Sequence, residues 1–246
     1  MISKFHMMNS WKNMELNKED KILIKNEIEK INKGGSTPFL DPRQLQLVTS
    51  VLNKNKTNYQ IYKPSIDSEK NVIYTSCPNI IIYKITTNNN LRHQDILGSL
   101  FALNLNQNLF GDIIFNDNWY IVVKEHISYY LSQNLVKIGK YNVSLEQVEI
   151  DTLNNVAQKY VTEQIIVPSF RIDAVLPKII KTNRSKILEL INDKDIILNY
   201  KILTNNSYIL KENDIFGIRK YGKYKFIGIE KQTKKDNYII NIGKYV

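Results

Sequence analysis

The run Phe170 to Lys201, FRIDAVLPKIIKTNRSKILELINDKDIILNYK, constrains the chain most, because its apolar residues keep helical spacing twice and then switch to strand alternation. Ile172, Val175, Leu176, Ile179 and Ile180 fall at i, i+3, i+4, i+7 and i+8 and share one helix face, with Arg171, Ala174, Lys178 and Lys181 off it. Lys181-Thr182-Asn183 breaks the pattern, and Asn183 suits the N-cap of a second helix, where its side-chain oxygen takes an otherwise orphan amide. Ile187, Leu188 and Ile191 form the apolar side of that helix. In its first turn Arg184 and Lys186 combine with free amides and the positive end of the helix dipole, a setting in which a phosphate fits. Ile196 and Leu198, alternating with Ile197 and Asn199 ahead of Tyr200 and Lys201, predict a strand that returns along the helix pair.

A small helix-helix-strand core with a merely solvated basic surface would show the same pattern. Charge segregation favours a binding role. Pro168 to Val246 holds 16 Lys and Arg against 8 Asp and Glu, whereas Met1 to Val167 holds 18 against 16, so about a third of the chain carries most of its net +10. Neutralising phosphates supplies most sequence-independent affinity for nucleic acid, and this is its electrostatic footprint.

The order Arg171-Ile172-Asp173-Ala174-Val175-Leu176, then Asn183-Arg184-Ser185-Lys186 and Leu190-Ile191, then Ile196-Ile197-Leu198-Asn199, resembles the S-four RNA-binding domain. The resemblance implies RNA-facing roles for Arg171, Arg184 and Lys186, and an orienting role for Asp173. Asp195 stands where that family usually has Gly before the strand, and Asn213 where a later turn usually has Gly; Asp and Asn are the residues that best tolerate left-handed backbone there.

At 246 residues and 43% hydrophobic content the chain can build true cores, in one large domain or two to three small ones. A single cysteine, Cys77, excludes an internal disulfide framework and a thiolate metal cluster, as expected of a protein of the reducing cytoplasm. No apolar run is long enough to span a bilayer, Met1 to Asn13 lacks the apolar core of a signal peptide, and no membrane partner is expected.

Leu16 to Asn32 predicts a charged amphipathic helix stopped by Gly34-Gly35. Phe39-Leu40-Asp41-Pro42-Arg43 then reads as a helix entry with Asp41 at the N-cap and Pro42 first, and Leu45, Val48, Val51 and Leu52 on the buried side. Val72 to Tyr74 and Ile80 to Thr86 are strand-like; Leu91 to Leu105 predicts a helix; Ile113 to Phe115 and Trp119 to Val123 a hairpin; Glu125 to Asn134 a helix; and Leu135 to Ile138 and Val143 to Ile150 the closing strands. This is the β-α-β-β-α-β order of ferredoxin-like folds and RNA-recognition motifs. The stacking aromatics of the latter are missing, since Trp119 and Tyr120 are adjacent and point to opposite faces.

The F-L-D-P-R run, the helix Leu91-Arg92-His93-Gln94-Asp95-Ile96-Leu97-Gly98 and Gly111-Asp112 together resemble the YlmH-type proteins, which carry a C-terminal S-four domain. That resemblance implies a partner in the large ribosomal subunit and a part in quality control of translation, where a stalled peptidyl-tRNA remains on that subunit. Taken alone, Arg43 reads as a helix-surface residue, His93 as structural or surface, and Asp112 as a turn before a strand.

The expected fold is α+β: an N-terminal helical part over 1–70, an RRM-like domain over 71–150, a polar linker over 151–167 and an S-four-type domain over 168–246. Short strands are expected at Ser207 to Leu210, Ile215 to Arg219, Tyr224 to Ile229 and Tyr238 to Ile242. The lysines between them, with Tyr221 and Tyr224, suit an RNA backbone or merely guard sheet edges. Expected RNA contacts are Arg171, Lys178, Arg184, Ser185, Lys186, Asn199, Lys201, Arg219 and Lys220, in a monomer without catalytic residues, metal or cofactor. The rival function is an RNA-modifying enzyme, because Arg171-Ile172-Asp173 superficially resembles the R-L-D of pseudouridine synthases, whose Asp is the nucleophile. Here an apolar helical stripe follows it, not the Thr-Ser-Gly of such a site.

Overall fold

The computed structural model describes residues 17–157, 160–233 and 236–245. The signal-peptide reading of Met1 to Asn13, and Lys234, Lys235 and Val246, lie outside the described residues. Helix α1 (Lys18–Asn32) starts with a capping box in which Asn17 and Asp20 satisfy each other's amides. Helix α2 (Pro42–Lys54) starts with another, between Asp41 and Gln44, with Pro42 at its first position as predicted. Arg43 does not lie on an open surface: its guanidinium pairs with the buried Asp20 and ties the two helices together. Ile31, Leu40, Val48 and Leu52 pack there with Ile73. Strands β1 (Gln60–Tyr62) and β2 (Val72–Tyr74) pair with each other, so Val72–Tyr74 belongs to this N-terminal part and not to the sheet that follows.

That sheet is built from β3 (Ile80–Thr86), helix α3 (His93–Ala102), β4 (Phe110–Asn116), β5 (Asn118–Lys124), helix α4 (Glu125–Asn134), a small hairpin of β6 (Lys137–Ile138) and β7 (Tyr141–Asn142), and β8 (Ser144–Val148). The antiparallel order β4-β5-β3-β8 is the ferredoxin-like arrangement the sequence predicts. One face packs on the helices through Ile85, Ile96, Leu100, Ile121, Val123 and Leu131. The other carries Ile80, Ile82, Ile114, Tyr120 and Val122 and is covered by Phe39, Val72 and Leu153. It is therefore closed to the base stacking that such a face performs in RNA-recognition motifs.

The C-terminal part comprises β9 (Tyr160–Val167), α5 (Ile172–Ile179), α6 (Arg184–Asn192), β10 (Ile196–Leu198), β11 (Lys201–Ile202), β12 (Ile215–Ile218), β13 (Gly222–Gln232) and β14 (Tyr238–Tyr245). They form one six-stranded sheet, β11-β10-β12-β13-β14-β9, on which the helix pair packs. Ile172, Val175 and Leu176 are fully buried, each worth about 1.5–3 kcal/mol of apolar transfer. Three expectations shift. Residues 160–167 do not belong to a linker: they are the edge strand β9, paired along its whole length with β14. Ser207 to Leu210 forms only an isolated bridge between Ile209 and Arg171. The left-handed residue before β10 is Lys194, with φ 61°, and not Asp195, whereas Asn213 takes φ 70° as expected.

Gly111 fits because a side chain does not. A Cβ on it would lie 2.9 Å from the Phe39 ring, so Gly111→Ala is expected to cost about 1–3 kcal/mol in denaturant unfolding. Gly98, in the interior of α3 with open space around it, is the contrast: Gly98→Ala should gain about 0.5–1 kcal/mol.

Candidate nucleic-acid interface

The two helices of the C-terminal part meet at their starts, and one carboxylate joins them. Arg171 is the N-cap of α5, Asp173 lies in its first turn, and Arg184 is the first residue of α6. The Asp173 side chain is fully buried. Its Oδ1 accepts from Arg171 Nε at 3.1 Å, and its Oδ2 accepts from Arg171 Nη2 at 2.9 Å and from both Nε and Nη2 of Arg184. The Arg171 bonds, reinforced by Arg184, hold the Asp173 carboxyl below its usual range. Arg171 also donates to Ser207 Oγ at 3.0 Å. Yet the guanidiniums keep 41% and 61% of their side-chain surface in water. Two planar forks of donors are thus fixed in place with one positive charge in excess, a geometry suited to phosphate.

The remaining candidates are spread over the same part. Asn183 caps α6 by accepting from the Lys186 amide, Ser185 is exposed beside it, and the Lys186 ammonium pairs with Glu189 at 2.8 Å. Arg219 pairs with Asp195 at 3.1 Å and is largely exposed. Lys178, Lys201 and Lys220 are at the surface and form no salt bridge among the described residues. Asn199 is engaged internally: its side chain donates to Asp214 at 2.7 Å and accepts from the Ile215 amide, which fixes the turn between β10 and β11.

A second constellation escapes sequence reasoning. The Asp112 carboxylate accepts from the amides of Glu69 and Lys70 at 2.7 and 3.1 Å, while Lys70 Nζ donates to the carbonyls of Gln107 and Phe110. So held, the buried Glu69 faces the C-terminal part and pairs with Lys223, whose ammonium lies 4.9 Å from the Tyr245 ring and 5.9 Å from that of Tyr200. Asp112 is the anchor of this joint. His93 sits near it, 6.2 Å from Trp119, with its pKa lowered by burial and then by Lys223 and Lys70. Among the described residues no three His, Cys, Asp or Glu are placed to hold a metal, and no helix is long and apolar enough to cross a membrane.

Two outcomes are expected. Asp173→Asn removes the carboxylate that orders both arginines and should cost about 2–3 kcal/mol in chemical unfolding. Burial pulls the Lys70 pKa down from 10.5 to about 8, so between those values the unfolded chain binds the proton more tightly. The stability contributed by this group therefore rises with pH from about 8 to 10.5, and Lys70→Met should flatten the pH dependence of unfolding in that window.

Residues 80–152 match the family model described as "Putative RNA-binding domain in YlmH". Over 153 residues, 62% of this chain, the sequence is 31% identical to Ribosome-associated protein quality control protein P2 of Bacillus subtilis (strain 168), and the match spans 60% of that relative's length. The solved structure of cell division protein ylmH from Streptococcus pneumoniae aligns with a TM-score of 0.47 at 19% identity, covering 58% of this chain and 99% of that one. Residues 80–152 are thus similar to the central domain of YlmH-type proteins, and the Arg92-His93-Gln94-Asp95 and Gly111-Asp112 motifs lie within them.

Proposed function

We propose that the protein is a non-catalytic, cytoplasmic RNA-binding factor that associates with the ribosome. It contacts rRNA of the large subunit, and tRNA held there, in quality control of stalled translation. The observation that carries this reading is the pair of half-exposed guanidiniums locked on the buried Asp173, within the third of the chain that holds most of its net charge. The name of the Bacillus subtilis relative and the description of the matched domain support it. So does the order of two helices and a strand, with Arg171, Arg184 and Asn183 where the S-four resemblance asks for them.

The rival enzyme reading is disfavoured by the state of Asp173. A carboxylate that attacks a base must be open to substrate. Both oxygens of Asp173 are engaged by arginine, and its side chain has no exposed surface. Uridine isomerisation by the wild-type protein on a model RNA would reverse this judgement.

Arg184 is a poor choice for a binding test, because a reversed charge there would face the buried Asp173 and unfold the helix start. Lys178, Lys201 and Lys220 can be neutralised to Gln at little expected cost in stability. In sucrose gradients the wild type should travel with the large subunit and fall off steeply with salt. For purified rRNA, the triple variant should flatten the slope of log affinity against log salt by about 2–3, since each phosphate that a lysine neutralises adds about 0.7–0.9 to it. Equal slopes for variant and wild type would move the interface elsewhere.

A further inference from the structure

Lys124, the last residue of β5, is 4% exposed. Its ammonium donates to Ser36 Oγ at 2.8 Å and to the Pro78 carbonyl at 2.6 Å. Both partners are neutral, an ammonium carries three donors, and no salt bridge reaches this one among the described residues. A buried charge ordinarily sits against an opposite charge, because desolvation is otherwise uncompensated. Burial pulls the Lys124 pKa down to about 8; the positive charge of Lys30 pulls the same way, and Cys77, Glu125 and Glu27 oppose it. At neutral pH the side chain is still mostly a cation, without a carboxylate partner.

Lys124 lines a groove of about 680 Å³ between the end of α1, the turn before β3, the segment before β4 and the start of α4. Lys30, its ammonium paired with the buried Glu27 at 2.9 Å, and His126 line the same space, so the charge without a carboxylate partner there is that of Lys124, beside the amino end of α4. Asn79, Asn106 and Asn108 line it as well, and an asparagine amide offers both donors and acceptors. Glu125 adds one carboxylate. A bare anion would find that carboxylate repulsive, whereas a ligand with an anionic end and a hydrogen-bond-donating end uses both signs. We infer that the groove binds one nucleotide, its phosphate against Lys124 and Lys30, and its sugar hydroxyls or base amino groups toward Glu125 and the asparagine amides. The volume lies within the 300–1,000 Å³ usual for small-ligand sites. The nucleotide is either free or one unit of an RNA strand, and the chemistry of recognition is the same.

The test follows acetylation of Lys124 by acetic anhydride in the full chain, read by mass spectrometry, beside the thermal midpoint. The probes are the nucleoside 5′-monophosphates and a short single-stranded RNA, with sodium sulfate at matched ionic strength as control. Acetylation should slow several-fold, and the midpoint should rise with the logarithm of probe concentration. Both effects should shrink in Lys30→Gln, whose amide keeps a hydrogen-bond donor for the buried Glu27 carboxylate that Lys30 pairs with in the wild type. Slowing by RNA alone identifies a unit of a strand, slowing by monophosphates as well identifies a free nucleotide, and either result sustains the inference. Acetylation rates that no nucleotide or RNA changes beyond sulfate overturn it, as does an undiminished midpoint rise in Lys124→Met.

Discussion

A carboxylate shielded from water holds together the surface that the C-terminal part presents. Burying Asp173 costs several kcal/mol of hydration, and only close, bidentate partners restore it. Arg171 and Arg184 supply them from the starts of two different helices, which ties those starts together and fixes the planes of both guanidiniums. An arginine on an open helix face loses side-chain freedom when it meets a phosphate; these two have already lost it, so less of the binding energy goes into ordering them. One acidic residue in a basic domain thus raises the quality of its cations while lowering their number.

Charges elsewhere are spent on joining parts of the chain. Arg43 is used on Asp20, Lys70 on backbone carbonyls and a ring, and Lys223 on Glu69, each linking segments far apart in sequence. The motif residues that carry the YlmH resemblance belong largely to this work. Phe39 packs on Gly111, and Asp112 holds the turn that presents Glu69 to the C-terminal part. Their chemistry in this structure is positional.

What could be read from the sequence is what local physics decides. The caps Asp41 and Asn183, the helical stripe from Ile172 and the alternation at Ile196 and Leu198 are set within a few residues, and all were legible. Strand β9 was not, because as an edge strand exposed over most of its length it shows no apolar alternation and reads as polar connector. The left-handed position before β10 falls on Lys194, one residue before Asp195, which has more of the character of a glycine substitute. The basic candidates were visible as charge, but not that Asn199 would be consumed by Asp214, or that Glu69 and Lys223, 154 positions apart, would meet. Lys124 follows a run of apolar strand residues and carries no local sign of its burial.

The covered face of the central sheet bears on how this molecule can be divided. Sequence similarity draws a domain at 80–152, yet Ile80, Ile82, Ile114, Tyr120 and Val122 find their cover in Phe39, Val72 and Leu153, all outside those limits. Excised at the boundaries of its family, the domain would carry an oily sheet face into water, where strands of that kind seek one another. The unit that similarity recognises is smaller than the unit that can stand alone, and the N-terminal helices and the segment after β8 are as much its lid as its neighbours.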